Sequence, residues 1–279
     1  MIYRFTIFFL LFVTTCFAQQ TTVTTGPPKG SLVIVGGGGV TDEILTTFFE
    51  LAGGKDVPIV VIPTAGGADT YTETSGDFLR NKGATNVTVL HTKSKEAANS
   101  DEFIKPLLNA QAVWFGGGRQ WHLVDSYKDT KCEALFWKVL DRGGVIGGSS
   151  AGATIQGSYL ARGDTKNNQI MMGDHEVGFG FIKNIAIDQH VLARNRQFDL
   201  FDITKKRPEL LGIGIDERTA IVVQGDQFEV IGDHYVLMYD GKFWSREGSE
   251  LKNIPDSDSR FYFLRKGDKY DLKKREVIK

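Results

Sequence analysis

Short apolar runs that lead into glycine-rich turns constrain the fold of this chain more than any other feature. The runs cover residues 32–35, 58–62, 87–90, 112–115 and 145–146, and segments with helical spacing lie between them, over residues 41–51, 74–82, 102–108 and 133–142. A continuous apolar run closed by a tight turn is typical of a strand buried on both faces. Strand–helix alternation therefore predicts an α/β fold with a mostly parallel sheet flanked by helices.

The pattern changes after about residue 218. Three alternating or apolar runs, 219–223, 227–231 and 235–239, are separated by glycine–aspartate pairs, which are hairpin signals. They predict a C-terminal antiparallel hairpin extension, followed by a charged tail from Lys266. With no internal repeat, residues 31–279 are interpreted as a single α/β domain.

The N-terminus differs from the rest of the chain. Arg4 precedes an apolar run over residues 5–13, and small residues lead to Ala18. This is typical of a signal peptide, residues 1–18, and predicts a secreted or periplasmic protein. The alternatives are a membrane anchor, for which the run is shorter than the roughly 20 residues needed, and a lipoprotein through Cys16, which the preceding threonines disfavour. Residues 19–30 are polar and contain Pro27-Pro28, so we expect a flexible leader.

Composition excludes several functions. Loss of residues 1–18 would remove Arg4 and no acid, which changes the net charge from −1 to −2. The sequence has no basic run with interleaved aromatic residues, so nothing in it indicates nucleic-acid binding. Cys132 would be the one cysteine left, which leaves neither a disulfide nor a cysteine-based zinc site to expect. The core must stabilise the fold unaided.

The segment Gly148–Gly152 matches the pattern G-x-S-x-G, with Ser150 as the candidate nucleophile. It follows the short strand 145–146 and precedes a predicted helix over residues 153–159. The nucleophile of such a turn projects from a strained backbone, and flanking glycines avoid clashes there. A plain glycine turn is the alternative interpretation, since the pattern alone is short.

A serine nucleophile needs a base, which is usually histidine. His190 ends the apolar run 185–187 and would lie at the carboxyl end of a strand, on the same rim as Ser150. His91 also ends a strand, but it leads into a lysine-rich loop and is expected to be exposed. The remaining histidines are expected in loops or hairpins: His122, His175 and His234.

Three acids compete to orient the base. Asp216 and Glu217 end the apolar run 212–215, and Asp188 lies two residues before His190. Asp188 and His190 are two residues apart, so their side chains would share a face of the strand, but an acid in that position seldom reaches the far nitrogen of the imidazole. Glu217 is therefore preferred as the acid that orients His190. The order serine, histidine, acid differs from that of lipase-type α/β-hydrolases.

A second glycine run, Phe115–Gln120, precedes the serine unit. Backbone N–H groups of Gly117 and Gly118 could form an oxyanion hole together with that of Ala151. The alternative is a dinucleotide loop, but neither this run nor Gly36–Gly39 completes G-x-G-x-x-G with a ribose-binding acid, so no cofactor is predicted.

Four stretches together resemble the serine peptidase family of cyanophycinase and aspartyl dipeptidase: Phe115–Gln120, Gly147–Ala153, Asp188–Arg196 and Gly212–Ala220. The resemblance implies a class I glutamine amidotransferase-like, flavodoxin-like fold and a catalytic triad of Ser150, His190 and Glu217. It implies substrate-binding positions at Gln120, Asp188, Gln189, Arg194 and Arg196. It also implies hydrolysis after aspartyl residues through an acyl-enzyme, a cyanophycin-like β-Asp-Arg substrate, and a homodimer.

Two positions depart from the family pattern. Cyanophycinases usually carry a third arginine where this chain has Asp199, and Asp or Asn where it has Arg119. These charge changes could redirect specificity while leaving the triad untouched. An esterase or amidase with the same triad, or a binding protein without catalysis, are the alternative functions.

Overall fold

The computed structural model describes residues 24–246 and 255–279. The predicted signal peptide and the first part of the predicted leader lie outside these residues. Within the described part of the chain, no helix is long and apolar enough to cross a membrane.

Fourteen strands and eight α-helices are found among the described residues. The strands are β1 Ser31–Val35, β2 Ile59–Ile62, β3 Val87–Val89, β4 Ala112–Phe115, β5 Val145–Ser149, β6 Gly157–Tyr159, β7 Ile182–Gln189, β8 Leu211–Ile215, β9 Thr219–Gln224, β10 Gln227–Gly232, β11 Tyr235–Tyr239, β12 Tyr262–Arg265, β13 Lys269–Asp271 and β14 Glu276–Ile278. The helices are α1 Asp42–Ala52, α2 Asp77–Arg80, α3 Lys95–Ala98, α4 Lys105–Leu108, α5 Trp121–Tyr127, α6 Lys131–Asp141, α7 Ala151–Thr154 and α8 Phe201–Thr204.

The larger sheet has nine strands in the order β14-β13-β10-β9-β1-β5-β4-β2-β3. Strands β1, β5, β4, β2 and β3 are parallel, and β9 joins β1 in the antiparallel direction. Of these, β1, β2 and β4 are fully buried, as their continuous apolar runs predict, whereas the edge strand β3 is half-buried. The α/β fold with a parallel core and an antiparallel extension is therefore confirmed.

A second sheet has five strands in the order β12-β11-β8-β7-β6. Its strands β6, β7 and β8 are parallel, whereas β11 and β12 are antiparallel. The predicted hairpin extension is thus divided between two sheets: β9 and β10 extend the larger sheet, and β11 pairs with β8. The ends of β5 and of β7 and β8 meet between the sheets.

Helix α1 shows how local sequence sets an element. The Thr41 side chain accepts a hydrogen bond from the Ile44 N–H at 3.3 Å, and Gly53 ends the helix in the left-handed conformation with φ 94°. A threonine at the N-cap and a glycine after the last turn are common signals for the start and the end of a helix. The buried face includes Phe48, whose ring packs edge-on against Trp114 of β4 at 5.1 Å between centroids.

Several predicted elements differ from the observed ones. The predicted helix over residues 153–159 is wrong: α7 ends at Thr154, and residues 157–159 form β6 beside β7. Backbone bonds from Phe179 and Ile182 to Ile155 and Gln156 draw the chain into that sheet. The helix predicted over residues 74–82 is instead a short 3₁₀ turn followed by α2. Of the helix predicted over residues 102–108, only the part that forms α4 is helical.

Both ends of the described chain pack against the domain. Of the expected flexible leader, Gly26 and Pro27 are buried, and the Thr25 carbonyl accepts a hydrogen bond from the Lys183 N–H at 2.7 Å. The expected charged tail contributes β13 and β14 to the larger sheet. Packing over the sheet edges accounts for both differences.

Candidate active site

Ser150 lies in the turn between β5 and α7. Its φ of 58° and ψ of −113° are unusual for a residue with a side chain, and the Val35 carbonyl of β1 fixes its N–H at 3.0 Å. A Cβ on Gly148 would be 2.2 Å from the Gly152 carbonyl oxygen, and a Cβ on Gly152 would be 2.1 Å from that of Phe115. The two flanking glycines therefore permit the close backbone approach that points the serine outward.

The side chains of Ser150, His190 and Glu217 form a hydrogen-bonded line. The Ser150 Oγ lies 2.9 Å from His190 Nε2, and His190 Nδ1 lies 2.6 Å from Glu217 Oε1. The three residues follow β5, β7 and β8, so each comes from the carboxyl end of a parallel strand. A hydroxyl, an imidazole and a carboxylate in this order have the geometry of an activated nucleophile.

Burial and charge set the proton affinity of His190. Desolvation holds the pKa of His190 below its ordinary value, and the positive charges of Arg194 and Arg196 lower it further. The hydrogen bond to Glu217 opposes this change in pKa. The imidazole is therefore kept neutral and able to accept a proton at neutral pH.

Of the three competing acids, Glu217 contacts the imidazole. Asp216 instead accepts backbone hydrogen bonds from Leu192 and Ala193, at 3.0 and 2.9 Å. Asp188 is fully buried, and both of its oxygens are bound by Arg162. Asp216 and Asp188 are thus occupied in holding the segments on either side of His190.

The other four histidines do not bond to Ser150. His91 is half-buried rather than exposed, with Nδ1 2.8 Å from the Thr64 hydroxyl. His122 lies in α5 rather than in a loop, and its Nδ1 is 3.0 Å from the Ala65 carbonyl oxygen. His175 lies between two aspartates and His234 beside Asp216.

Gly36, Gly37 and Gly38, here called the glycine platform, lie beneath the imidazole and the glutamate. The Gly36 carbonyl accepts the His190 N–H at 3.0 Å. A Cβ on Gly37 would be 2.1 Å from His190 Cε1, and a Cβ on Gly38 would be 2.4 Å from Glu217 Oε2. The sequence predicts a strand-ending turn here and disfavours a dinucleotide loop, but this role was not predicted; the run of glycines after β1 was the available signal.

Of the predicted oxyanion-hole residues, Gly117 and Ala151 adjoin Ser150, whereas Gly118 packs against Ala65. A Cβ on Gly117 would be 3.4 Å from Ser150 Cβ, and Ala151 begins α7 directly after the serine. Gly118 has φ 140°, and a Cβ there would be 2.0 Å from the Ala65 carbonyl oxygen. Among the described residues, no backbone acceptor is found for the N–H groups of Gly117 and Gly118.

The predicted substrate-binding residues differ in exposure. Arg194 is exposed, whereas Gln120, Gln189 and Arg196 are buried and, like Asp188, hydrogen-bonded within the protein. Gln120 Nε2 donates to the Ala161 carbonyl at 2.5 Å, and Arg196 Nη1 donates to Gln189 Oε1 at 3.1 Å. Four of the five are thus buried and engaged within the protein, and Arg194 is the exposed member of the set.

Arg162 was not identified from the sequence. It is fully buried and donates to Asp188 Oδ1 and Oδ2 at 2.7 and 2.9 Å and also to Asp199. Burial opposes its charge, but the hydrogen bonds to the two aspartates raise the pKa of Arg162. The signal in the sequence was slight: a lone arginine directly after the apolar stretch 159–161.

The sequence is similar to those of known peptidases over most of its length. The sequence model of peptidase family S51 matches residues 32–231. A cyanophycinase of Geminocystis herdmanii is 31% identical over 250 residues, 85% of this chain and 90% of that protein. A cyanophycinase of Synechococcus elongatus is 29% identical over 84% of this chain and 76% of its own length.

Two solved structures share the fold. A peptidase from an acI-B1 Actinobacterium has a TM-score of 0.63 and 24% identity, and the match covers 88% of this chain and 98% of that one. A putative peptidase E protein from Listeria monocytogenes has a TM-score of 0.52 and 17% identity, over 74% and 100% of the two chains. The match over residues 32–231 and the relatives' similarity over most of the chain show that it belongs to peptidase family S51.

Proposed function

We propose that this chain is a secreted serine-type peptidase, similar to cyanophycinase, that hydrolyses peptide or isopeptide bonds after aspartyl residues. The observation that carries the proposal is the line from Ser150 Oγ through the His190 ring to Glu217, with separations of 2.9 and 2.6 Å. Membership of a peptidase family supports the same chemistry.

In the first half of the reaction, Ser150 Oγ attacks the scissile carbonyl carbon while His190 Nε2 takes the hydroxyl proton. His190 then gives this proton to the leaving amine, the C–N bond breaks, and the aspartyl group stays on Ser150 as an ester. A water molecule, deprotonated by His190 in turn, releases the acid and restores the hydroxyl. Glu217 accepts from Nδ1–H throughout and stabilises the imidazolium that forms.

The negative charge on the carbonyl oxygen needs donors during both halves. Gly117 lies against Ser150 and Ala151 follows it directly, so the N–H groups of these two residues are the proposed donors, with that of Gly118 next in the chain. Loss of one such donor typically raises the barrier by about 3 kcal/mol. The helix that begins at Ala151 is short, so individual N–H groups matter here more than a helix dipole.

The proposed substrate is a β-Asp-Arg isopeptide, because relatives of this chain are named cyanophycinase. Its aspartyl residue carries a free carboxylate beside the scissile bond. Arg194 is exposed and Arg196 is fixed on Gln189, and the charges of both reach His190. A guanidinium suits a carboxylate because it can donate two parallel hydrogen bonds.

Dipeptide hydrolysis tests the proposal. The purified protein is expected to cleave β-Asp-Arg faster than α-Asp-Arg, and Ser150→Ala to lower kcat by about 10⁶. Undiminished cleavage by that variant would exclude the mechanism. Turnover of esters without any peptide would show an esterase, and a folded protein whose Ser150 does not react with a fluorophosphonate would show a binding protein.

The division of the chain and its oligomeric state also belong to the proposal. Residues 1–18 are a signal peptide, 19–30 a leader and 31–279 one domain, and the N-terminal sequence of exported protein is expected to begin at Gln19. The family resemblance also implies a homodimer, which sedimentation equilibrium would distinguish from a monomer.

A further inference from the structure

Arg162 acts on the site only through the groups that it holds. Its side chain is fully buried, and each guanidinium nitrogen has a protein acceptor. Nε and Nη2 bind the two oxygens of Asp188, Nη2 also binds Asp199 Oδ2, and Nη1 donates to the Asn168 carbonyl at 3.0 Å. A buried and fully engaged arginine of this kind positions carboxylates rather than contacting a ligand.

The two carboxylates bound by Arg162 differ in access. The Asp188 side chain has no exposed surface, whereas 33% of the Asp199 side chain is exposed. Among the described residues, no donor is found for Asp199 Oδ1. Arg162 thus holds one oxygen of Asp199, which leaves the other without a donor from the described residues, on a side chain that is partly exposed.

Asp199 lies in the turn of chain that follows the arginines near His190. Arg194 N–H bonds to the His190 carbonyl at 2.9 Å, and Asp199 N–H bonds to the Arg196 carbonyl at 3.0 Å. The charges of Arg194 and Arg196 lie close enough to His190 to act on it, and Asp199 acts in turn on Arg196. Two successive turns of the chain therefore connect His190 to Asp199.

This arrangement separates opposite charges along one segment of the chain. Arg194 and Arg196 offer positive charge near His190, while Asp199 offers negative charge one turn further along the chain. A ligand that satisfies both ends carries a carboxylate and a cation. The family resemblance leads one to expect an arginine at position 199, so the acid reverses the charge presented there.

We propose that Asp199 is a specificity-determining residue whose Oδ1 accepts a hydrogen bond from a guanidinium or ammonium group of the substrate. Arg162 is the positioning residue that holds the carboxylate from beneath. The inference deepens the proposed function and rests on it, since the cation is carried by the group linked to the aspartyl residue.

Hydrolysis of matched dipeptides provides the first test. β-Asp-citrulline has the size of β-Asp-Arg but a neutral urea in place of the guanidinium. A hydrogen bond between charged groups predicts a kcat/KM preference for β-Asp-Arg of about 10- to 100-fold. Asp199→Asn is expected to remove most of this preference, Asp199→Glu to retain part of it, and Asp202→Asn, an exposed acid of α8, to leave it unchanged.

Binding to the Ser150→Ala protein provides a test that needs no turnover. Calorimetric titration is expected to show tighter binding of β-Asp-Arg than of β-Asp-citrulline, and the difference to disappear when Asp199→Asn is added. Equal binding of the two dipeptides, no binding of either, or an unchanged difference in the Asn variant would overturn the role of Asp199. Charge-selective binding without hydrolysis by the unmodified protein would instead count against the proposed function alone.

Discussion

The imidazole of His190 occupies the space that a side chain on Gly37 would fill: a Cβ there would be 2.1 Å from Cε1 and 2.6 Å from Nε2. Nε2 is the atom that faces Ser150 Oγ. The glycine platform at the end of β1 therefore sets the position of the base as directly as the strand that carries it.

Gly37→Ala is expected to lower kcat about 100-fold or more, because displacement of a reacting group by about 1 Å can have that effect. Gly39→Ala is the matched control. Gly39 also has a positive φ, of 97°, but a Cβ there would meet nothing within 4 Å. Both variants are expected to lose about 1–2 kcal/mol of unfolding free energy through backbone strain, measured with urea. Equal losses of kcat would contradict the contact with His190.

Glu217→Gln is expected to lower kcat by about 10³–10⁴ with little change in KM. The amide cannot hold the imidazole in the required tautomer or balance its charge, although it is nearly the same shape. Steady-state kinetics on the dipeptide checks this. Asp216→Asn serves as the comparison, since Asp216 binds backbone N–H groups and not the His190 ring. A larger loss of kcat in that variant than in Glu217→Gln would show that Asp216, and not Glu217, orients His190.

The rate at which Ser150 reacts with a fluorophosphonate is expected to depend on the protonation of His190. The reaction needs the neutral ring, so the rate falls as the pH drops through the pKa of His190, which lies below its ordinary value. Arg194→Gln removes a positive charge that lowers this pKa, and therefore is expected to shift the profile toward higher pH. A shift toward lower pH, or none, would show that the Arg194 charge does not reach the ring.

Arg162→Met is expected to lower the free energy of unfolding by about 3–5 kcal/mol, because it leaves Asp188 buried without its partner. Urea unfolding measures the loss. Arg207→Met removes a surface arginine paired with Glu176, where both side chains are more than a third exposed, and a loss of at most about 1 kcal/mol is expected. Similar losses of unfolding free energy in the two variants would contradict the larger loss expected for the buried ion pair.

Cys132 is expected to be inert to thiol reagents in the native protein that begins after residue 18. Its side chain is fully buried, and desolvation raises the pKa of the thiol to about 12, so little thiolate exists at neutral pH. Absorbance with an aromatic disulfide reagent is expected to show one reactive thiol only after addition of denaturant. Rapid labelling before unfolding would place Cys132 at the surface.

Much of the fold could be predicted because the responsible interactions are local. Strands β1, β2 and β4 are marked by continuous apolar runs, which match their full burial. Helix α1 is marked by Thr41 at its start and Gly53 at its end. Helix α7 and strand β6 could not be predicted, because pairing with β7 overrides the helical pattern of residues 153–159. Long-range strand pairing has no local counterpart in the sequence.

Ser150, His190 and Glu217 could each be selected from a local pattern, since each residue follows an apolar strand in a parallel arrangement, where strand ends share a rim. Their contacts depend on two sheets meeting and on glycines at positions 36–38 that leave room for the rings and carboxylate. The pairing of Arg162 with Asp188 and Asp199 likewise joins segments 26 and 37 residues apart. The sequence by itself thus determines which residue types are available for chemistry. Only the tertiary structure decides which acid contacts the imidazole and which carboxylate keeps an oxygen without a protein donor. The reason is that a buried charge needs a partner, and that partner comes from a segment distant in sequence.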